Sequence, residues 1–266
     1  QGTNCPIQDE GNNIIAQACY QIAKEFDIEP YDEYTGKGVL RHIIGRIGQS
    51  GWMIILVTAI EQLPYKEKWV EKLTERIPQV ETIVHNVNGK RTNVILGPKN
   101  NILYGDGTIT DHIKDLQFTL SPHSFFQVNP EQTTVLYDQA LEYADLKGDE
   151  TVIDAYCGTG TISLFLAHKA KHVIGIEIVE PAIINARENA RNNGYDNTEF
   201  IVADAAVEMP KLYNAGVRPD VIVFDPIRAG CKEEVLTSAA SMEPKRIVYV
   251  SCNPATMARD IEILTH

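Results

Sequence analysis

The chain has 266 residues, 44% of them apolar, enough for one large domain or two ordinary ones with real hydrophobic cores. No run approaches the ~18 consecutive apolar residues of a membrane span, which excludes a helical membrane protein of ordinary design. A net charge of −12 is unfavourable for binding a polyanion, so any nucleic-acid partner must be argued from chemistry and not from charge.

In chain order, Ile14, Ile15, Ala18, Cys19, Ile22 and Phe26 recur at helical spacing. Val39–Ile47 and Met53–Thr58 read as two strands joined at Gly48-Gln-Ser-Gly51, a hairpin pattern. A helix is predicted from Tyr65 to Arg76, followed by short extended runs at Thr82–Asn86, Ile102–Tyr104 and Leu116–Leu120. This portion, 1–127, is expected to be a smaller α+β domain. Basic residues cluster within it as Lys37, Arg41, His42, Arg46 and as Lys90, Arg91, Lys99. On charge alone these are solvated strand faces.

Beyond Ser121–Pro130 the pattern becomes regular. Asn129-Pro130 reads as a helix cap with proline in the first turn, opening a helix to Tyr143. Strands are predicted at Thr151–Asp154, His172–Glu177, Glu199–Val202, Asp220–Phe224 and Arg246–Ser251. Helices fall between them: Thr161–His168, Glu180–Asn193, a short one after Asp204, Lys232–Met242 and Ala255–Leu264. Alternation of this kind predicts an α/β, doubly wound, mostly parallel Rossmann-like sheet over 128–266. The start without Met and the absence of a final antiparallel strand pair mark the chain as an expected fragment. Its opening residues read as neither a signal nor a transit peptide.

In open α/β sheets, ligands lie at the carboxyl ends of the strands. Asp154-Ala-Tyr-Cys-Gly-Thr-Gly160 occupies such an end, and Gly158 and Gly160 permit a tight turn against a ligand. Ser163 stands where a dinucleotide fingerprint needs its third glycine. Glu177 ends the second strand and could accept from ribose hydroxyls; Asp204 ends the third, where a carboxylate can meet an adenine amine. Singly, each acid is an ordinary strand terminus. Three at successive strand ends, beside a glycine turn, favour a cofactor pocket; the shorter glycine loop suits S-adenosylmethionine, while Glu177 by itself does not separate that donor from NAD.

Asp225-Pro-Ile-Arg228 follows the fourth strand, and Ser251-Cys-Asn-Pro254 the fifth. A cysteine closing an apolar strand is ordinarily a small core side chain. Here Cys252 lies in a polar turn opening a helix, whose positive end favours thiolate. Thiolate addition at carbon 6 of uracil would make carbon 5 nucleophilic toward a sulfonium methyl, dividing one hard step into easier ones. The five cysteines (Cys5, Cys19, Cys157, Cys231, Cys252) are odd in number, scattered and without C-x-x-C pairs. That argues against disulfides and a bound metal and predicts a reducing, cytoplasmic setting.

Tyr31-Asp-Glu33, Lys37-Gly-Val-Leu-Arg-His42, Phe125-Phe-Gln-Val-Asn-Pro130, the glycine turn, Asp225-Pro-Ile-Arg-Ala-Gly230 and Ser251-Cys-Asn-Pro254 together resemble the RNA (uracil-5-)methyltransferase family over essentially the whole chain. The resemblance implies a class I methyltransferase in which Gln127, Tyr156, Glu177 and Asp225 contact donor or substrate and Cys252 is the nucleophile. Thr161 takes a position that lines the donor pocket in some members. The chain departs from the family at Ile227, where a second proline is usual, and lacks the amino-terminal oligonucleotide-binding domain common there. The family's glutamate base would lie beyond His266. A uridine must be splayed out of folded RNA to reach the thiol, and the first domain is expected to grip the RNA around it. Ribosomal RNA of the 23S type is the expected partner ahead of transfer RNA, and the protein is expected to be a monomer. Two alternatives remain open: a methyltransferase for another acceptor with a structural Cys252, and a non-catalytic RNA- or cofactor-binding remnant.

Overall fold

A computed structural model of the protein describes residues 8–124, 127 and 129–265. The chain divides into two compact units, Gln1–Asp111 with Thr119–His123, and His112–Phe118 with Ser124–His266.

The first unit opens with α1 (Glu10–Glu25), whose first turn is capped by Asp9 accepting from the Gly11 amide at 2.7 Å. It continues through β1 (Leu40–Ile47), β2 (Trp52–Thr58), α2 (Lys66–Arg76), β3 (Val80–Val87) and β4 (Lys99–Tyr104). The sheet order is β1-β2-β3-β4. β1 and β2 are the antiparallel hairpin, β2 and β3 run parallel across α2, and β4 returns antiparallel. Most of the predicted helical stripe packs, Ile14 being the exposed exception: Ile15, Cys19 and Ile22 of α1 and Trp69 and Leu73 of α2 share one core with Ile54, Leu56 and Ile83. Such burial contributes about 1.5–3 kcal/mol per large side chain. A two-stranded sheet of β5 (Ile109–Ile113) and β6 (Leu116–Leu120) follows. The basic cluster is partly spent internally. Arg41 lies 4.5 Å over the Tyr31 ring and donates to the Asn88, Lys90 and Thr92 carbonyls, while Arg46 donates to the Pro122 carbonyl.

The second unit carries α3 (Pro130–Ala144), β7 (Thr151–Asp154), α4 (Thr161–Ala167), β8 (His172–Glu177), α5 (Glu180–Asn192), β9 (Thr198–Val202), α6 (Ala205–Asn214), β10 (Val221–Phe224), α7 (Glu233–Ser241), β11 (Arg246–Tyr249) and α8 (Pro254–Thr265). Its five strands are all parallel, in the order β11-β10-β7-β8-β9. Val152, Ile153, Val173, Ile222 and Val223 are fully or almost fully buried, as strands covered on both faces require. The order reverses between β7 and β10, and the crevice at such a switch point is where these folds hold ligands. This is the Rossmann-like sheet expected over the second part. β11 ends at Tyr249, two residues earlier than predicted, and one further ladder-like bond from the Val250 amide to the Phe224 carbonyl precedes the turn. Among the described residues no helix is long and apolar enough to cross a membrane.

Candidate active site

The glycine turn grows directly from β7. Asp154 at the strand end is fully buried, and its Oδ2 accepts from Ser163 Oγ of α4 at 2.6 Å. Its Oδ1 and the Thr159 hydroxyl are buried without partners among the described residues. Burial pushes the Asp154 carboxyl up to about 7, opposed by the Ser163 bond and reinforced by the Asp225 and Glu177 charges. Gly160 (φ +82°) is a packing glycine: an added Cβ would lie 3.1 Å from Ala186 Cβ and 3.2 Å from Phe200 Cζ. Gly158 (φ +54°) is different, since a Cβ there would meet nothing within 4 Å. The turn therefore faces open space at Gly158 and presses on the core at Gly160.

Glu177, at the end of β8, is tied to this turn, its Oε2 accepting from the Gly158 amide at 3.3 Å and Oε1 from the Val179 amide at 2.9 Å. Gln127 and Thr161 meet at a residue the sequence did not single out. The Tyr137 hydroxyl is 3.2 Å from Thr161 Oγ1 and within bonding reach of Gln127, and burial pushes it up to about 12. Tyr156 turns away toward α7, its hydroxyl facing the Cys231 thiol and the Lys232 backbone and held above the usual tyrosine range by burial. Asp204 caps α6 through the Ala206 amide (3.0 Å) and pairs with Lys232 Nζ at 2.5 Å, which lowers its carboxyl. The carboxylate expected to receive an adenine amine is thus already bound on both oxygens. Of the Phe125–Pro130 motif, Phe125, Phe126 and Val128 lie outside the described residues.

Asp225 follows β10 and is half-buried; burial pushes it up to about 6. Cys252 is exposed, whereas Cys19, Cys157 and Cys231 are buried. Burial raises all three of those thiols, Cys19 to about 12 and Cys231 to about 11. Cys5 lies outside the described residues. The Cys252 turn is shaped by its neighbours. Ser251 Oγ accepts from the Asn253 amide at 2.9 Å, and Asn253 Oδ1 accepts from the Ala255 amide at 3.2 Å, a cap at the start of α8. Asn253 Nδ2 and Thr256 Oγ1 both donate to the Arg228 carbonyl, at 3.2 and 3.4 Å. The Cys252 and Asp225 loops are thereby joined. The exposed thiol, the half-buried carboxyl and the glycine turn all stand at carboxyl ends of adjacent strands β11, β10 and β7.

This arrangement is the fold of a class I methyltransferase, and residues 146–265 match the sequence family described as a methyltransferase domain. The chain is 53% identical over 262 residues to a protein of Halalkalibacterium halodurans named as an uncharacterized RNA methyltransferase, covering 98% of this chain and 57% of that protein. A similarly named protein of Clostridium acetobutylicum is 51% identical over 265 residues, with 98% and 57% covered. Among solved structures, the Pyrococcus abyssi tRNA (uracil-54, C5)-methyltransferase in complex with S-adenosyl-L-homocysteine superposes with a TM-score of 0.81 at 28% identity, covering 99% of this chain and 63% of that one. The chain spans a little over half the length of these curated relatives.

The glycine turn has what a methyl donor needs: two buried polar atoms awaiting partners, space over Gly158, and Glu177 bonded to the same turn. The residues present fit S-adenosylmethionine.

Proposed function

We propose that this chain is the donor-binding and reacting part of an S-adenosylmethionine-dependent RNA methyltransferase that forms 5-methyluridine. The observation that carries the reading is the single exposed thiol among the four described cysteines, set in a turn bonded to the Asp225 loop at the ligand-binding edge of the sheet. The likeness to a tRNA uracil-5 enzyme supports it. Asp154, Gly158 and Glu177 hold the donor, with Gln127 and Thr161 shaping the pocket through Tyr137, and Tyr156 and Asp225 beside them. Asp204 reaches an adenine amine only by sharing its Oδ2 with Lys232.

When bound, the donor supplies an electrophilic methyl group on a sulfonium. Cys252 Sγ, as thiolate, forms a bond to carbon 6 of a flipped uracil, and the electron pair of the 5,6 double bond moves toward carbon 5 and the 4-carbonyl. Carbon 5 would then take the methyl group as its bond to the sulfonium sulfur breaks, leaving a neutral thioether. A base removes the carbon-5 proton, the double bond re-forms, and the sulfur–carbon 6 bond breaks to return the thiolate. The acceptor is a uridine in folded RNA, ribosomal of the 23S type by our reading; transfer RNA is the second reading, favoured by the P. abyssi neighbour.

Mass spectrometry of nucleosides from cells lacking the protein tests the assignment. Loss of 5-methyluridine from one position of 23S ribosomal RNA is expected. Loss from transfer RNA would select the second reading, and an unchanged 5-methyluridine content in both would reject the reaction.

A further inference from the structure

Asp260 is a buried carboxylate to which the reaction above gives no task. It lies on α8, eight residues after Cys252, and is completely buried. Its Oδ2 accepts from the Cys231 amide at 2.7 Å and the Tyr249 hydroxyl at 2.5 Å, and its Oδ1 from Arg259 Nε and Nη2 at 2.8 and 2.6 Å. The same Arg259 nitrogen Nη2 reaches the Ala229 carbonyl at 3.0 Å and the Cys231 carbonyl at 3.4 Å. Gly230 (φ +81°) is folded onto this pair so closely that an added Cβ would lie 2.6 Å from both Arg259 Nη2 and Asp260 Oδ2. The helix that follows the Cys252 turn therefore grips the far end of the Asp225–Cys231 loop, while Asn253 and Thr256 grip its middle at Arg228.

The grip extends toward the donor turn. Cys231 Sγ donates to the Tyr249 oxygen at 3.6 Å, and the Tyr156 hydroxyl of the glycine turn faces the same thiol. A buried charge costs desolvation that well-packed apolar side chains would avoid, so stability alone is a poor reason for it. What a carboxylate offers that a leucine does not is direction, here four bonds: one to the Asp225–Cys231 loop, one to Tyr249 of β11 and two to Arg259 of its own helix. We propose that Asp260 is a positioning residue, which fixes the Asp225–Cys231 loop against the Cys252 turn so that thiol, carboxyl and donor turn keep one geometry. The proposal rests on the function proposed above.

The test uses the full-length protein and its Asp260→Asn variant, which keeps the shape and one acceptor but removes the charge. Two rates are read at a temperature where melting curves show both proteins folded. One is covalent capture of 5-fluorouridine RNA at varied RNA concentration; the other is alkylation of Cys252 by iodoacetamide, resolved by peptide mass spectrometry. In Asp260→Asn, capture at saturating RNA should slow at least tenfold, with the half-saturating RNA concentration within twofold of wild type. Cys252 alkylation should rise at least threefold as the turn loosens. A variant that melts earlier yet keeps both rates within twofold has lost only stability, which overturns the proposal. If Asp260→Asn does not fold, Tyr249→Phe and Thr256→Val decide, each expected to slow capture about threefold; unchanged capture in both overturns it. If wild type captures no RNA, the uracil reading has failed, and the alkylation rates alone judge Asp260 by the same criterion.

Discussion

The glycine turn and the Cys252 turn stand at the same edge of one sheet and are built on opposite plans. Around Asp154 and Thr159, buried polar atoms are left without partners, so the turn carries a deficit that a polar ligand can fill. Around Cys252, the neighbouring polar side chains are engaged: Ser251, Asn253 and Thr256 all hold backbone groups, while the cysteine itself is exposed. A binding site gains affinity from unmet bonds, because meeting them relieves a desolvation cost. A nucleophile gains from the reverse, a rigid surround that leaves one reactive atom free.

Substitutions can break this contrast. The largest effect is expected for Cys252→Ala, which should bind donor normally yet lose all covalent capture of 5-fluorouridine RNA on denaturing gels. Capture by this variant would remove Cys252 from the chemistry. Next comes the pair of glycines. Gly160→Ala combines a left-handed backbone with tight contacts to Ala186 and Phe200, and should lower stability in urea unfolding by about 2–4 kcal/mol. Gly158→Ala meets open space and should cost about 1–2 kcal/mol, its main effect appearing as weaker donor binding by calorimetry. Equal losses of stability at the two sites would show that the turn is packed alike throughout.

Glu177→Ala should weaken donor binding by about 1–3 kcal/mol with little change in melting temperature, since the ligand's hydroxyls lose their acceptor. The pH dependence sharpens the same point. The folded Asp154 carboxyl sits near 7, above its unfolded value of roughly 4, so between these the folded state holds the extra proton. Stability therefore falls as pH rises from about 4 toward 7, and Asp154→Asn should flatten that slope in unfolding experiments at several pH values. An unaltered slope would mean that Asp154 is ionised in the fold. The smallest effect belongs to Lys232→Met, which breaks a largely exposed pair with Asp204 and should change stability by about 0–1 kcal/mol. A gain in donor affinity in this variant would show that Lys232 competes for the Asp204 carboxylate.

The elements of the second unit were readable because each strand is a short apolar run and each helix repeats at 3.6 residues, signals carried by neighbours in the chain. β5 escaped notice for a specific reason. Its alternation runs Ile109, Asp111, Ile113, and the buried Asp111 breaks the apolar face on which a period-two pattern depends. The early end of β11 at Tyr249 reflects the hydrogen bonds of Ser251 and Asn253, which turn the chain before its apolar run suggests.

The site divides along the same line. Residues next to a glycine or a strand end, such as Asp154, Gly158, Glu177, Asp225 and Cys252, could be singled out from the sequence because the α/β pattern sends those positions to one edge. Tyr137 beside Thr161, Lys232 on Asp204, and Asp260 beneath Cys231 could not, since these partners stand 24, 28 and 29 residues apart. Local sequence determined the strands, the turns and the edge at which chemistry can occur, because backbone geometry and apolar period act over a few residues. Only the tertiary structure decided which carboxylates remain open, which thiol reaches solvent and what holds it there. Those properties depend on burial and on hydrogen bonds that form when distant segments are packed together.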